Sequence, residues 1–213
     1  MNKRIAIISI VSAVVIVGAG IAVYALTRPQ STTSDSMSGI SKSSVSDESD
    51  ITKSIVYQQY AALNGEKYDK NFLSNMIVHH QGAVDMAKLA LVNAKHQELK
   101  GMAAGIIAAQ EKEISNMTAW QKDWGYESTS TDSMMGGMSA MTEMLEGRSG
   151  DDFDKVFIEQ MIMHHQSAIE MATPGANNAF HQEVKDLTKA VVSAQSGEIA
   201  QMKQWQKDWG YTS

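Results

Sequence analysis

Apolar residues recur along most of this chain at intervals of three and four positions, which is the spacing of an amphipathic α-helix. The pattern predicts one helix over about residues 69–94 and a second over about 97–124, and it returns in the last third of the chain. Thr173-Pro174-Gly175 is expected to end the later copy of the first helix early, because proline cannot continue a helix. No segment shows the alternation that is typical of a strand, so the chain is predicted to be all-α.

An internal duplication organises these helices. Residues 69–128 align without a gap with residues 154–213, at a constant offset of 85 positions, and about half of the aligned residues are identical. When the similar residues just before the aligned segments are included, the repeats span about 63–126 and 145–213. A methionine-rich connector over about 127–144 joins them. Each repeat predicts a helix hairpin, and two hairpins predict a four-helix bundle over residues 51–213. His96 and His181 are expected to be surface residues in the turns of the hairpins.

The N-terminal segment has a different character. Residues 5–26 carry no charge and are long enough to cross a bilayer as a helix, and Lys3 and Arg4 favour a cytoplasmic N-terminus. Residues 1–26 are therefore predicted to be a membrane anchor, with a cleaved signal peptide as the alternative. The serine-rich residues 27–50 are predicted to be a flexible linker. The folded part is expected to lie outside the cytoplasm, tethered to the cell membrane, or to be secreted if the segment is cleaved.

The amino-acid composition excludes several kinds of site and partner. The absence of cysteine excludes disulfides, iron–sulfur clusters and thiolate zinc sites. The formal net charge of -6, without a basic stripe, argues against nucleic acid as a partner. The 15 methionines are unusually many for a chain of 213 residues, so thioethers are available as ligands for a soft metal ion.

Helical geometry places two adjacent histidines on the apolar face of each repeat. With Phe72 at 0° and a turn of about 100° per residue, Met76 falls at about 40°, His79 at about 340° and His80 at about 80°. An imidazole on an apolar face needs hydrogen-bond partners or a metal ion, and a satisfied core histidine is the alternative to a ligand. Four histidines on matching faces beside methionines favour ligands. The second repeat has the same arrangement with Met161, His164 and His165.

Two further methionines extend this pattern across the interface between the repeats. Met86 cannot share an ion with Met76 on one helix, because ten residues separate them by roughly 15 Å. If the first helices of the repeats pack antiparallel, Met86 approaches the histidine motif of the second repeat, and Met171 approaches that of the first. The predicted metal ligands are therefore Met76, His79, His80, Met86, Met161, His164, His165 and Met171.

Several weaker candidates surround this set. Glu113 and Glu198 are predicted on the inner face of the second helices, either as ligands or as acceptors for a histidine N–H, with a salt bridge or an edge position as the alternative. The connector methionines are expected in a glycine-containing loop, where thioethers converge on an ion, and packing is the alternative. The weaker methionine candidates are Met117, Met202, Met163, Met134, Met135 and Met138.

The ligand types favour one metal. Thioether and imidazole groups without thiolate suit Cu(I), with Ag(I) as a mimic. Di-iron bundle proteins use a Glu-x-x-His spacing, whereas here methionine stands at the position of that glutamate. Zinc would bind the histidines but gains little from methionine.

The motifs resemble a known family. The pattern F-[LI]-x-x-M-I-x-H-H-Q-x-A-[VI]-x-M-A, followed by Q-x-x-E-I-x-x-M-x-x-W, is similar in both repeats to the exported bacterial family called domain of unknown function 305. The resemblance covers residues 63–126 and 145–211. It implies a ferritin-like fold with two helix pairs, and a copper-resistance member of the family implies copper binding outside the cytoplasm by the methionines and histidines named above.

The sequence thus predicts an extracytoplasmic, membrane-tethered protein that sequesters Cu(I) or passes it to a copper-transport partner, rather than an enzyme. Two alternatives stay open. One is a ferritin-like di-metal oxidase that uses Glu113 and Glu198 together with the histidines. The other is a metal-free helical bundle that binds a partner.

Overall fold

The structure is a computed structural model that describes residues 48–127 and 132–211, and this part of the chain is helical apart from its turns. None of the described helices is long and apolar enough to cross a membrane, and the predicted anchor at residues 1–26 lies outside the described residues. So does the predicted linker, except residues 48–50. The helices are α1 Glu48–Ile51, α2 Ile55–Ala61, α3 Glu66–Asn93, α4 Gln97–Trp124, α5 Asp132–Glu143, α6 Gly150–Ala172, α7 Gly175–Asn178 and α8 Gln182–Asp208.

The four long helices form the two predicted hairpins. In the first, α3 and α4 meet at a short turn, and α4 ends at Gly125, whose φ of 68° is left-handed and therefore favours glycine. In the second, α6 stops at Ala172 and Pro174 leads into the short α7, as the proline predicted. The hairpins meet mainly through α3 and α6, while α4 packs on α3 and α8 packs on α6. Each histidine motif thus lies on a central helix.

The core contains two equivalent pairs of stacked aromatic side chains, one pair from each repeat. Tyr68 and Phe72 are fully buried and stack with ring centroids 5.5 Å apart, and Phe153 and Phe157 do the same at 5.9 Å. The offset of 85 positions converts one pair into the other. Burying such a side chain stabilises the fold by about 1.5–3 kcal/mol relative to exposure. The two halves therefore share one packing scheme.

A pseudo-twofold relationship also joins the ends of the hairpins. Gly65 forms an isolated parallel β-bridge with Ala179, and Ala94 forms one with Gly150. Exchanging the repeats by the same offset converts each bridge into the other. The start of each hairpin is therefore fastened to the turn of the opposite hairpin.

His96 and His181 lie in the turns of the hairpins, as predicted, but they are partly buried rather than free on the surface, because each is held in a clamp built by the other repeat. The buried carboxylate of Asp69 accepts hydrogen bonds from the backbone N–H of Phe180 and His181, at 3.0 Å each, and lies 2.8 Å from Nδ1 of His181. The ring of His181 also stacks on Trp124, at a centroid distance of 3.6 Å. The same arrangement occurs at the other turn, where Asp154 accepts from the backbone N–H of Lys95 and His96 and contacts Nδ1 of His96. The ring of His96 stacks there on Trp209.

The expected loop in the connector is also wrong, since residues 132–143 form α5 and this helix packs against α3. Gly82 of α3 makes the close approach possible. A Cβ at position 82 would lie 2.9 Å from Cβ of Met138 and 3.0 Å from its sulfur. Met138 is thus half-buried against α3 rather than free in a loop.

Candidate metal centre

The four histidines of the two motifs lie together in the interior. Their side chains are 0–1% exposed. The rings of His79 and His164 face each other across the α3–α6 interface, with centroids 3.7 Å apart, and His80 and His165 flank them at 6.5 Å and 6.1 Å from their neighbours in sequence. The prediction that both histidines of each motif point inward is therefore confirmed.

Hydrogen bonds across the interface orient the central pair. Nε2 of His164 lies 2.9 Å from the carbonyl oxygen of His79, and because a carbonyl only accepts, this nitrogen carries the hydrogen. Nε2 of His79 lies 2.7 Å from the hydroxyl of Ser167. Neither ring can turn without breaking a bond to the other repeat.

A carboxylate orients each flanking histidine. Nε2 of His80 lies 2.7 Å from Oε2 of Glu113, and Nε2 of His165 lies 2.6 Å from Oε2 of Glu198. A carboxylate accepts, so each imidazole donates from Nε2, and its Nδ1 is left with the lone pair when the ring is neutral. Each contact fits two of the roles predicted for the glutamates, the acceptor for a histidine N–H and the salt bridge. The first is the arrangement that orients histidine ligands in many metal sites.

All four Nδ1 atoms are buried without a hydrogen-bond partner among the described residues. Leaving a buried polar atom unpaired costs about 1–3 kcal/mol, so each of these nitrogens is a candidate donor for a metal ion. Burial lowers the pKa of His79 and of His164 well below the usual value for histidine, and positive charge on the neighbouring histidines would lower it further. These rings are therefore neutral near pH 7, which is the state that binds a metal ion.

Buried methionines form two sets that the pseudo-twofold relates. Met76, Met117 and Met171 belong to one core cluster, and the second cluster holds Met161, Met202 and Met86. Each set takes two methionines from one repeat and one from the other, and every member is 0–1% exposed. Met86 thus lies in the same core cluster as Met161 and Met202, and Met171 lies in that of Met76 and Met117, while the sharing of an ion across the repeats stays a prediction.

Three weaker candidates have different outcomes. Met163 is 50% exposed and does not join the histidines, because it lies about 240° around the helix from Phe157 while His164 lies at about 340°. Met138 packs against Gly82 on α3. Met134 and Met135 belong to α5, and their side chains lie outside the described part of the structure.

Sequence reasoning missed Ser167, which contacts His79. The signal was present in the repeat alignment, where Ser167 pairs with Gly82 in the middle of an otherwise similar motif. Within residues 48–127 and 132–211, no three His, Asp or Glu side chains are grouped so that they could hold a metal ion by themselves.

The chain belongs to the family described as Domain of unknown function (DUF305), whose sequence profile matches residues 69–206. Among solved structures it is similar to CopM in the Cu(II)-bound form, with 39% identity, 66% of this chain and 97% of that chain covered, and a TM-score of 0.59. The Cu(I)-bound form of CopM is 38% identical, with 66% of this chain and 96% of that chain covered and a TM-score of 0.56. The Ag-bound form obtained by soaking is 39% identical, with 66% of this chain and 96% of that chain covered and a TM-score of 0.58. No curated protein sequence matches the chain.

Proposed function

We propose that this protein binds copper outside the cytoplasm, and that it sequesters Cu(I) or hands it to a transport partner. The observation that carries the proposal is the set of four buried imidazoles whose Nδ1 atoms have no hydrogen-bond partner among the described residues. Neutral imidazole nitrogen and thioether sulfur are ligands that suit Cu(I). The likeness to CopM structures that hold Cu(II), Cu(I) and Ag supports the same choice of ion.

The residues divide into ligands and supports. His80 and His165 would bind through Nδ1, with Glu113 and Glu198 fixing each ring from the opposite nitrogen. His164 would also bind through Nδ1, since its other nitrogen donates to the carbonyl of His79. The thioethers would come from the two sets defined by the core clusters, namely Met76, Met117 and Met171, and Met161, Met202 and Met86.

The proposed role is binding rather than catalysis. Each glutamate already bonds to a histidine Nε2, so it serves as an orienting group and not as one of the bridging carboxylates of a di-iron site. Soft-ion binding therefore fits the donor set better than a di-metal oxidase does.

The location is proposed from the sequence. Residues 5–26 would anchor the chain in the cell membrane with the helical part outside the cytoplasm. There, the folded part would meet copper before it enters the cell or after it is exported.

An anaerobic Cu(I) titration of the full-length chain against a competing chelator tests the proposal. We expect tight binding that is lost when His79, His80, His164 and His165 are all replaced by Ala. The matched control replaces the two histidines of the clamps, His96→Gln with His181→Gln, and should keep the affinity. Unchanged affinity in a folded quadruple variant, checked by circular dichroism, would contradict the proposed site.

A further inference from the structure

The central histidines of the two repeats are held by different partners. Nε2 of His164 lies 2.9 Å from the carbonyl oxygen of His79, which can only accept a hydrogen bond. Nε2 of His79 lies 2.7 Å from the hydroxyl of Ser167, which can either donate or accept. The partner of His164 therefore fixes its tautomer, whereas the hydroxyl alone does not fix that of His79.

The other ring nitrogen of His79 decides between its two tautomers. This Nδ1 is buried and has no hydrogen-bond partner among the described residues. A hydrogen on Nδ1 would be a buried donor without an acceptor, at a cost of about 1–3 kcal/mol, and it would block the nitrogen from a metal ion. A hydrogen on Nε2 has the oxygen of Ser167 as its acceptor and leaves the Nδ1 lone pair free for an ion. Only the second tautomer makes His79 a ligand through Nδ1, and it uses Ser167 as an acceptor.

The connector helix α5 explains why the first repeat has no such serine. The offset of 85 positions relates Ser167 to Gly82. A Cβ at position 82 would lie 2.9 Å from Cβ of Met138 in α5, which is closer than two side chains can pack. The first repeat thus has no room for a hydroxyl at this position, and His164 donates to a backbone carbonyl instead.

We infer that Ser167 is a positioning residue, whose oxygen accepts the Nε2 hydrogen of His79 and thereby makes Nδ1 of His79 a fourth imidazole donor. This inference rests on the proposed copper binding and deepens it, because carboxylate and carbonyl acceptors define only the other three donors. Ser167 acts through the ring and not on the ion, as do the groups behind metal-ligating histidines in general. The centre then offers an Nδ1 lone pair from each of its four histidines.

Nitrogen NMR of the metal-free, full-length chain tests the tautomer in the absence of any ion. The protonated and unprotonated nitrogens of a neutral imidazole differ clearly in chemical shift, and the loss of signals in His79→Gln assigns those of His79. We expect the hydrogen of His79 on Nε2. In Ser167→Ala this hydrogen has lost its acceptor, so the population with the hydrogen on Nδ1 should rise, while His164 keeps its Nε2 hydrogen.

An equilibrium titration with Ag(I) against a competing chelator tests the consequence for binding. Ser167→Ala should weaken binding by about 10–100-fold, the range that is typical for the loss of a group that orients a histidine ligand. Ser167→Thr keeps the hydroxyl and should keep the wild-type tautomer and affinity. Ser193→Ala is the matched control, because Ser193 is exposed on α8, and it should change neither.

The two measurements separate the possible failures. A wild-type chain that binds neither Ag(I) nor Cu(I) would overturn the proposed function. Tight wild-type binding with the hydrogen of His79 on Nδ1, or with unchanged affinity in Ser167→Ala, would overturn only the role of Ser167. A folded Ser167→Thr variant that binds as weakly as Ser167→Ala would also overturn that role, because the hydroxyl would then not be the group that matters.

Discussion

His164 donates its Nε2 hydrogen to the carbonyl oxygen of His79 over 2.9 Å, so that an imidazole of one repeat is tied to the backbone of the other. This bond settles which nitrogen of His164 holds the proton, and it leaves Nδ1 as the acceptor in the neutral ring. The bond crosses the α3–α6 interface at the point where the two rings face each other. The tautomer of a candidate ligand is therefore set by the docking of the two halves.

The carboxylates behind the flanking histidines should control the affinity for Cu(I). We expect Glu113→Gln and Glu198→Gln each to weaken Cu(I) binding by about 10–100-fold, because an amide holds the imidazole less firmly and makes its free nitrogen a weaker donor. Competition titrations under anaerobic conditions measure the effect. Glu111→Gln is the control, since Glu111 pairs with Lys88 on the exposed side of the hairpin. Equal affinities in all three variants would show that the glutamates do not support ligands.

The metal-free protein should lose stability as the pH falls. Burial lowers the pKa of His79 and of His164, so in the pH range below about 6.5 the unfolded chain binds protons that the folded chain excludes. The free energy of unfolding then falls with decreasing pH, by at most about 1.4 kcal/mol per pH unit for each histidine, until the folded protein protonates as well. Urea denaturation of chelator-treated protein between pH 7 and roughly pH 4.5 measures this slope. The double variant His79→Gln with His164→Gln should have a shallower slope, and an equal slope would contradict the assignment.

The two methionine sets should contribute equally to the capacity for soft ions. Replacing Met76, Met117 and Met171 by Leu keeps the core volume, which usually costs less than about 1.5 kcal/mol per site, but removes every thioether of one set. We expect the amount of Ag(I) bound tightly per chain to fall by half, as counted by native mass spectrometry. The corresponding triple replacement of Met161, Met202 and Met86 should give the same loss. A loss in only one of the two triple variants would show that the sets are not equivalent.

The clamps at the hairpin turns should be important for stability rather than for binding. Asp69→Asn and Asp154→Asn each leave the backbone N–H groups of the opposite turn with fewer acceptors, and each should reduce the free energy of unfolding by about 1–3 kcal/mol. Urea denaturation measures the loss, and Asp152→Asn is the exposed control, with an expected change below about 0.5 kcal/mol. A change in Cu(I) affinity without a loss of stability would contradict this role.

Much of the fold and part of the centre could be predicted because both follow from local periodicity. The angle of a side chain about its own helix depends only on its position, so the inward direction of His79 and His80 followed from counting residues. The helix bounds followed from proline and glycine, as at Pro174 and Gly125. Family membership followed from the motifs and is confirmed by the match over residues 69–206.

The features that could not be predicted depend on contacts between distant segments. The clamp around His181 needs Asp69 and Trp124, which lie more than half a repeat away in the chain. The helix α5 was predicted as a loop because its glycines and serines are poor helix formers, whereas its packing on α3 at Gly82 is a contact between distant segments. Contacts between residues of the two repeats leave no periodic pattern in the sequence of either repeat.

The paired bridges Gly65–Ala179 and Ala94–Gly150 have a consequence for assembly. A chain that held one repeat would have a hairpin start and a hairpin turn that could pair only with those of a second copy. It would therefore complete its core as a homodimer, whose formation depends on concentration. Joining the two copies through the connector makes that association intramolecular. The second copy is then present at a fixed effective concentration, however dilute the protein becomes.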